Sequence, residues 1–433
     1  MALPLRRHRE AIRPVRVNGR IALDGSFAGE RRAVVRDSSQ AMLVFVSDLH
    51  LRPGAPSPMA RAAQFRRLWE RLEGGRPGAP VRLCLLGDIF DLVRAPQWLS
   101  SAVRPYAEPS AEMAAQVKTI VEATIEADRP FFAAVRRKVE EGVLEVSYVL
   151  GNHDRPLAVA PAARTAVRAA LSMEGGDAPL PFSMVFPEEG VLAYHGHTVD
   201  RLCHEPDGSA PLSDIIASEL IVRFPVEIER RANLKDQRLD DIDDVRPILA
   251  VPGWVRTVAR EEPRFLSQVV GRVWRDLVDE FLSNPWVRTW MRAHHRPLKL
   301  DFAQRVKLLL ALSARAKPRD EPRLTQLYYL LMKLLDVRFA RTALRALEQK
   351  ENRGLHYVVN GHTHFADMKP LGLVNGKPGC YFNTGTWRQL RQLGSVARGR
   401  PAFLAYDAAA YLVFFDRSDP LGRKFEWWQG AGG

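Results

Sequence analysis

Five short segments of this chain each place metal-binding side-chain types directly after a run of apolar residues. They are Ser47-Asp48-Leu49-His50, Gly87-Asp88-Ile89-Phe90-Asp91, Gly151-Asn152-His153-Asp154, His195-Gly196-His197 and Gly361-His362-Thr363-His364. Two cations about 3.5–4 Å apart need one shared carboxylate and several oxygen or imidazole ligands that converge from different strands. The recurrence of Asp, Asn and His at these positions therefore predicts a two-metal hydrolytic site.

The apolar runs before these segments are rich in β-branched residues and predict buried strands. They are Met42–Val46, Val81–Leu86, Leu144–Leu150, Val191–Tyr194 and Tyr357–Val359. Helical periodicity over Met59–Glu73 lies between the first and second of these runs, and over Ala111–Glu141 between the second and third. A break in the second helix is expected near Pro130. Strands that alternate with helices favour a layered α/β domain, whose sites usually lie at the carboxyl ends of the strands.

The alternation stops after about Cys203 and resumes near residue 353. Between these points the sequence has amphipathic helical segments and repeated prolines, and no strand that ends in ligand residues, which predicts a helical insertion that caps the site. The predicted divisions are a basic lead-in at 1–40, a first part of the core at 41–203, the insertion at 204–352 and a second part of the core at 353–433.

Short apolar runs in the two outer divisions predict further β-structure. Asn18-Gly19 is typical of a hairpin in the lead-in, to which no chemistry is assigned. In the second part of the core, Cys380–Thr386 is predicted to include a strand. Ala402–Tyr406 and Tyr411–Phe415 are predicted to form a hairpin around the intervening residues.

Positive charge is concentrated in the insertion. The formal net charge of the chain is +13, and 26 Lys and Arg stand against 17 Asp and Glu between Arg223 and Lys350. Such a field would attract a phosphate-containing substrate, nucleic acid or an anionic membrane surface, and charge alone does not choose among them. A solvated face of a helical bundle accounts for the same charge. No obligate protein partner is inferred.

Cysteine usage and hydropathy bear on the compartment. Cys84, Cys203 and Cys380 lie far apart, which favours neither a disulfide framework nor a cysteine zinc site. No apolar run reaches the roughly 18 residues that span a membrane, and the basic N-terminus lacks the apolar region of a signal peptide. We therefore expect a cytoplasmic protein, with peripheral membrane association left open by the basic insertion.

Alternation and strand-end position assign roles within the segments. Asp48 and His50 alternate along an extended segment, so both side chains would point the same way, and His362 and His364 repeat the pattern. Asp88 follows its strand through a glycine and can bridge both cations. The five residues are therefore predicted to be metal ligands.

Other polar residues of the segments are given ligand or supporting roles. Asn152 offers a neutral oxygen to the second metal. His195 ends its strand and is favoured as a ligand over His197, which remains a further candidate. Asp91 is a further candidate too, although its position one turn after Asp88 favours capping the next segment or orienting a ligand histidine.

His153 and Asp154 are the predicted catalytic residues. An imidazole that is oriented or charged by an adjacent carboxylate can contact a phosphoryl group or protonate a leaving oxygen. Stabilisation of the transition state is the role assigned to His153.

The ordered segments resemble the motifs of the calcineurin-like metallophosphoesterase superfamily over about residues 42–202 and 355–416. The resemblance implies a four-layered αββα sandwich with two divalent metal ions, most often manganese, with iron or zinc as alternatives. It assigns Asp48, His50, Asp88 and His364 to the first metal, and Asp88, Asn152, His195 and His362 to the second. A hydroxide activated by the metals would attack phosphorus in line.

Two segments also resemble UDP-2,3-diacylglucosamine pyrophosphohydrolases, namely Val46-Ser47-Asp48-Leu49-His50-Leu51 and Gly87-Asp88-Ile89-Phe90-Asp91. Those enzymes commonly have Arg where His153 stands, and Arg-Pro where Phe365-Ala366 follows the final His. The long insertion also departs from their compact size. This narrower substrate is therefore an alternative.

We therefore expect a metal-dependent phosphoesterase that hydrolyses a phosphate ester or a pyrophosphate bond. The other alternative is a nucleic-acid-binding or membrane-binding protein in which the metal centre is structural and the basic insertion docks the partner. An intact ligand set together with His153 favours the enzyme, because a structural centre has no need of the additional imidazole.

Overall fold

Two mixed β-sheets with helices packed on them make this an α/β fold, which confirms the predicted class. The computed structural model describes residues 21–27, 30–35, 41–54, 58–234, 236–294, 302–315, 339–394 and 402–432. The predicted Asn18-Gly19 turn lies outside the described residues.

The strands follow the predicted apolar runs closely, and several that were not predicted join them. They are β1 (Ile21–Phe27), β2 (Glu30–Val35), β3 (Met42–Val46), β4 (Val81–Leu86), β5 (Leu144–Val149), β6 (Ser183–Phe186), β7 (Val191–Tyr194), β8 (Val245–Arg246), β9 (Tyr357–Asn360), β10 (Ala366–Val374), β11 (Lys377–Thr384), β12 (Gln389–Leu393), β13 (Phe403–Phe414) and β14 (Phe425–Gly432).

The helices are α1 (Pro58–Gly75), α2 (Ala111–Ala127), α3 (Arg129–Glu140), α4 (Pro161–Ala170), α5 (Leu212–Ile215), α6 (Arg223–Ala232), α7 (Val251–Glu261), α8 (Arg264–Ser283), α9 (Pro285–Ala293) and α10 (Phe302–Arg315). A π-helical stretch over Ile216–Val222 joins α5 to α6, and residues 339–347 are also helical. The side chain of Ser110 caps α2 by accepting the Met113 N–H. The break predicted near Pro130 is confirmed, because α3 begins with this proline in its first turn.

The strands form two sheets that face each other. In the first, which we call the β3 sheet, the order is β5-β4-β3-β13-β12-β8, with β14 paired to β13, and β3, β4 and β5 are parallel neighbours. In the second, the β7 sheet, the order is β1-β2-β6-β7-β9-β11-β10, and β7, β9 and β11 are parallel neighbours. Parallel strands end together, which brings the predicted ligand segments to common edges.

Burial on both faces explains why β3 is apolar at every position. Leu43 and Phe45 enter the cluster between the two sheets, where Phe45 meets the edge of the Phe186 ring at a centroid distance of 5.5 Å. Met42 and Val44 face the opposite way, into a cluster with the helices. Each fully buried side chain of this size contributes about 1.5–3 kcal/mol, so the pattern fixes the position of the strand.

Helices cover the outer face of each sheet. Helices α1 to α4 pack on the β3 sheet, through side chains such as Phe65 of α1 and Phe131 of α3. On the β7 sheet, residues 339–347 contribute Ala343 and Leu347 to a cluster with Val358 of β9. This segment falls inside the predicted insertion at 204–352 but packs on the core sheet.

The insertion has a hydrophobic cluster of its own, formed mainly by residues 202–314 and including α5 to α10. It is joined to the core where β8 pairs with β12 in parallel. Close by, Asp243 forms ion pairs with Arg94 and Arg388 of the core at 3.0 and 3.2 Å. Residues 295–301 and 316–338 of the predicted insertion lie outside the described residues.

Two features of the β-structure differ from the sequence predictions. The predicted hairpin of Ala402–Tyr406 and Tyr411–Phe415 is wrong, because one strand, β13, runs through it and pairs with β12, β3 and β14 along its length. The intervening Asp407-Ala-Ala-Ala contains no glycine or proline to support a turn. The lead-in is also not merely peripheral, since β1 and β2 extend the β7 sheet next to β6.

Within the described part of the chain, none of the helices combines the length and apolar character needed to cross a membrane.

Candidate metal centre

The loops after β3, β4, β5, β7 and β9 meet, and they bring together all seven residues predicted to bind metal. Two groups of ligand atoms, each within 4.8 Å of one another, are Asp48-His50-His364 and Asp88-His195-His362. Asn152 joins the second group, with its Oδ1 atom 3.0 Å from Nδ1 of His362. The first group has three of the four residues that the motifs assign to a first metal, and the second group together with Asn152 has the four assigned to a second metal.

In the first group, three donor atoms surround a small space. The Nε2 atoms of His50 and His364 are 3.1 Å apart, and they lie 3.7 and 3.5 Å from Oδ1 of Asp48. The backbone N–H of His362 donates to the other oxygen of Asp48 at 2.9 Å, which leaves Oδ1 directed at the histidines.

The carboxylate of Asp88 lies between the groups. Its Oδ2 atom is 3.7 Å from Nε2 of His50 in the first group and 3.2 Å from Nε2 of His195 in the second. Its Oδ1 atom accepts the backbone N–H of His153 at 2.8 Å, which fixes the orientation of the carboxylate. Asp88 therefore has the position of a bridging ligand.

His195 is oriented for metal binding by its second ring nitrogen. Nδ1 lies 2.8 Å from the carbonyl oxygen of Leu86, which can only accept, so Nδ1 carries the proton and the neutral ring has a lone pair on Nε2. This lone pair faces Oδ2 of Asp88 at 3.2 Å. Two acceptors that face each other require a positive charge between them, supplied by a proton or by a cation.

The electrostatics of the centre favour positive charge at the same place. Burial lowers the pKa of His195, but the carboxylates of Asp88 and Asp48 outweigh burial and raise it to about 9. Burial raises the pKa of Asp88, whereas the imidazoles of His195, His153 and His50 outweigh burial and hold this pKa well below its usual range. The buried carboxylates thus stabilise added positive charge.

The donor set fits divalent cations. Oδ1 of Asp48 and Nε2 of His195 are buried and form no hydrogen bond among the described residues. Unsatisfied buried acceptors cost about 1–3 kcal/mol each, and a cation would satisfy both. Carboxylate, amide and imidazole ligands without a thiolate suit manganese, iron or zinc.

Asp91 orients two histidines. Its Oδ2 atom lies 3.2 Å from Nδ1 of His50, and its Oδ1 atom lies 2.6 Å from Nδ1 of His153. Each contact leaves the Nε2 atom of the ring available for other partners. This geometry matches the orienting role predicted for Asp91. The ligand atoms of Asp91, His50 and His153 also lie within 4.8 Å of one another, so the alternative role of Asp91 as a ligand stays a prediction.

The predicted pairing of His153 with Asp154 is wrong, because Asp91 is the carboxylate that contacts this imidazole. The side chain of Asp154 instead accepts hydrogen bonds from the Tyr148 hydroxyl at 2.9 Å and from the backbone N–H groups of Phe90 and Gly151. Burial, followed by repulsion from Asp88, raises the pKa of Asp154 to about 7. Neighbouring side chains diverge here because residues 152–154 form a turn and not a strand.

The extended alternation predicted for the ligand pairs is also wrong. The φ angles are 54° at Asp48, 49° at His50, 73° at His362 and 64° at His364, and Asp88 has 52°. These left-handed conformations cost about 1–2 kcal/mol per residue. The side chains converge through the strained loops beyond the strands, and strain of this kind is concentrated at functional sites.

Close packing at the centre requires glycine at two positions. A Cβ atom at Gly151 would overlap the Asp88 carboxylate, and one at Gly361 would overlap the side chains of Ser47 and Asp48. Both glycines therefore let a backbone lie against a ligand carboxylate.

His197 and Asp200 lie beside the second group, next to His195 and His362. The His197 ring lies 5.6 Å from that of His195 between centroids, and it is absent from the ligand groups found among the described residues. Asp200, which the sequence predictions missed, has its Oδ2 atom 3.3 Å from Nε2 of His362. Nδ1 of His362 thereby faces Asn152 and the centre. The only sequence signal for Asp200 is its place three residues after His197.

A cavity of ≈ 550 Å³ opens onto the centre. The core contributes Asp88, Asn152, His153, His362 and His364 to its wall. The insertion contributes Arg246, Pro247 and Ile248, and the remaining wall includes aromatic side chains, such as Phe339, Phe365 and Tyr381, together with charged ones, such as Arg94 and Lys369. The sequence predictions did not include these lining residues outside the segments, because nothing in their local pattern marks them.

A search against models of protein families finds none that matches this chain, and a search of curated proteins finds no match.

The Asp91→Asn variant tests the orienting role of Asp91. Loss of the carboxylate that holds His50 and His153 is expected to lower metal affinity by about 10- to 100-fold. The metal affinity of the purified variant is the measurement. The control is Asp416→Asn, which removes a buried carboxylate that pairs with Arg76 and lines no wall of the cavity. Equal effects of both changes would contradict an orienting role.

Proposed function

We propose that this chain is a di-metal-dependent phosphoesterase of the calcineurin-like metallophosphoesterase superfamily. The observation that carries the proposal is the convergence of seven ligand side chains from five separate loops into two adjacent groups that share Asp88. A structural site for a single metal needs about four ligands and no shared carboxylate. Two adjoining groups with a bridging position are typical of phosphatases and nucleases that use two metal ions.

The packing of the fold supports the four-layered αββα sandwich of that superfamily. Helices α1 to α4 lie on the β3 sheet, the two sheets share an apolar cluster, and residues 339–347 lie on the β7 sheet. The candidate centre would then lie at the edge where both sheets end, and the insertion would form one wall of the cavity above it.

Two divalent cations, with manganese the first choice and iron or zinc the alternatives, would neutralise the phosphoryl oxygens and lower the pKa of water. Asp48, His50, Asp88 and His364 would hold the first. The second would be held by Asp88, Asn152, His195 and His362. Asp91 and the Leu86 carbonyl orient His50 and His195 for this task.

His153 is the residue proposed to act on the substrate directly. Burial lowers the pKa of its imidazole, but Asp91 and Asp88 outweigh burial and raise it, so the ring holds a proton more readily than a free histidine. Nδ1 is occupied by Asp91, and the side chain lines the cavity. His153 is therefore suited to donate from Nε2 to a phosphoryl oxygen, or to protonate the leaving oxygen as the P–O bond breaks.

A substrate panel with metal analysis tests the proposed function. The purified protein is expected to hydrolyse an aryl phosphate monoester or diester with stimulation by manganese, to lose activity with a chelator and to regain it when manganese is restored. UDP-2,3-diacylglucosamine in the same panel tests the narrower alternative, and a preference for monoesters would exclude it.

The binding alternative predicts a different outcome of the same panel. It requires salt-sensitive binding to DNA or anionic vesicles, no turnover of any phosphate ester, and loss of binding when the basic insertion is deleted. This result, in protein that retains its metals, would overturn the proposed enzyme.

A further inference from the structure

Arg246 brings a buried cation from the insertion to the candidate metal centre. It lies in β8, is only 5% exposed, and lines the cavity together with His153 and His364. Its Nε atom is 3.2 Å from Nδ1 and 3.3 Å from Nε2 of His364. The Nε–H group of Arg246 thus lies nearly equidistant from the two ring nitrogens of His364.

The carboxylates nearest to Arg246 are engaged by other arginines. Asp243 forms ion pairs with Arg52, Arg94 and Arg388, and Asp244 pairs with Arg388 at 2.7 Å. These pairs belong to the network that joins the insertion to the core. They leave Arg246 as a cation beside the network with no carboxylate ion pair of its own among the described residues.

The guanidinium of Arg246 has an N–H donor group that makes no hydrogen bond within the described part of the chain. Its Nη1 atom donates to the backbone carbonyl oxygens of Asp243 and Val245 at 2.7 and 3.0 Å. Its Nη2 atom is buried and has no hydrogen-bond partner among the described residues. The guanidinium of an arginine stays protonated at neutral pH.

A buried cation without an anionic partner is costly, so its retention beside a cavity implies an anion that occupies the cavity. A guanidinium suits this role, because its planar donors match the oxygens of a phosphoryl group. We propose that Arg246 binds a non-bridging phosphoryl oxygen of the substrate, so that the insertion completes the anion-binding site of the centre. The inference rests on the proposed function and adds to it a substrate-binding residue outside the motifs.

Calorimetric titration of the manganese-loaded protein with inorganic phosphate tests this role. The Arg246→Gln variant is expected to raise the Kd for phosphate by about 10- to 100-fold, as expected for a hydrogen bond between charged groups. Arg246→Lys keeps the positive charge but loses the planar, paired N–H donors of the guanidinium. Its Kd should lie between those of the wild type and Arg246→Gln. Manganese content and circular dichroism establish that each variant is folded and loaded.

The matched control is Arg391→Gln. Arg391 lies opposite Val245 in the β8–β12 pairing, forms an ion pair with Asp241 and does not line the cavity. Its Kd for phosphate should equal that of the wild type. An unchanged Kd in both loaded Arg246 variants would overturn the inference, and if the Gln variant fails to fold or load, the Lys variant decides in the same way.

The outcomes separate this inference from the proposed function. If the wild type hydrolyses an ester and substitution of Arg246 leaves the Kd for phosphate unchanged, the binding role of Arg246 is refuted and the proposed enzyme is not. Arg246-dependent phosphate binding in a protein that hydrolyses no ester would support the binding role and refute the enzyme.

Discussion

The Asp88→Asn variant is expected to lose ester hydrolysis by on the order of 10³-fold or more, and to bind fewer metal ions per chain. Asp88 lies within reach of both ligand groups, at 3.7 Å from His50 and 3.2 Å from His195. Asparagine keeps the size of the side chain and removes the charge that a bridging ligand must supply. Loss of several kcal/mol of metal-dependent stabilisation of the transition state corresponds to a rate loss of this size.

Metal stoichiometry by elemental analysis and kcat/KM on an aryl phosphate are the two measurements for this variant. The Asp416→Asn protein again serves as the control, because it also loses a buried carboxylate but keeps every ligand. Full activity of Asp88→Asn with two metals bound would refute the bridging role and, with it, the arrangement of the proposed centre.

The His153→Gln variant is expected to keep its metals and to lose about 10²- to 10⁴-fold in kcat. His153 belongs to neither group assigned to a metal, and Asp91 holds its ring at the wall of the cavity. In the proposed function, a charged donor at this position would act on the substrate as the P–O bond breaks. Its removal should therefore affect turnover much more than metal binding.

Comparison of two leaving groups defines what His153 does. If the imidazole protonates the leaving oxygen, the loss should be small for a nitrophenyl ester and large for an alkyl ester, because only the alkoxide needs a proton. A loss of equal size for both esters identifies stabilisation of phosphoryl charge instead. His356→Gln is the control, since His356 lines a different cavity. Loss of metal in His153→Gln would contradict both roles.

The sequence predicted the strands that carry the centre because burial on both faces leaves a local signature. β3, β4 and β7 begin and end at the predicted residues, and β5 and β9 differ by one residue. The seven candidate ligands were brought together by the same pattern, since each follows such a strand. Strand ends and ligand residue types are properties of neighbouring residues, and a sequence shows these directly.

What the sequence did not predict depends on contacts between distant residues. The pairing of His153 with Asp91 spans 62 positions, and that of His362 with Asp200 spans 162. Arg246 reaches His364 across 118 positions, from a segment in which four aspartates precede it and nothing marks a residue of the centre. The course of β13 was missed because three successive alanines are compatible with a strand only when β12 and β14 flank it.

The ion pairs of Asp243 have a mechanical consequence. A cap that swings open would have to separate this carboxylate from Arg52, Arg94 and Arg388, and also to unpair β8 from β12. Breaking even one buried pair costs about 3–5 kcal/mol. The part of the insertion that carries Asp243 and β8 is thus held against the core, and its side of the cavity keeps one shape. A substrate of the proposed enzyme would then be selected by what fits that shape, and none of its binding free energy would be needed to close this wall.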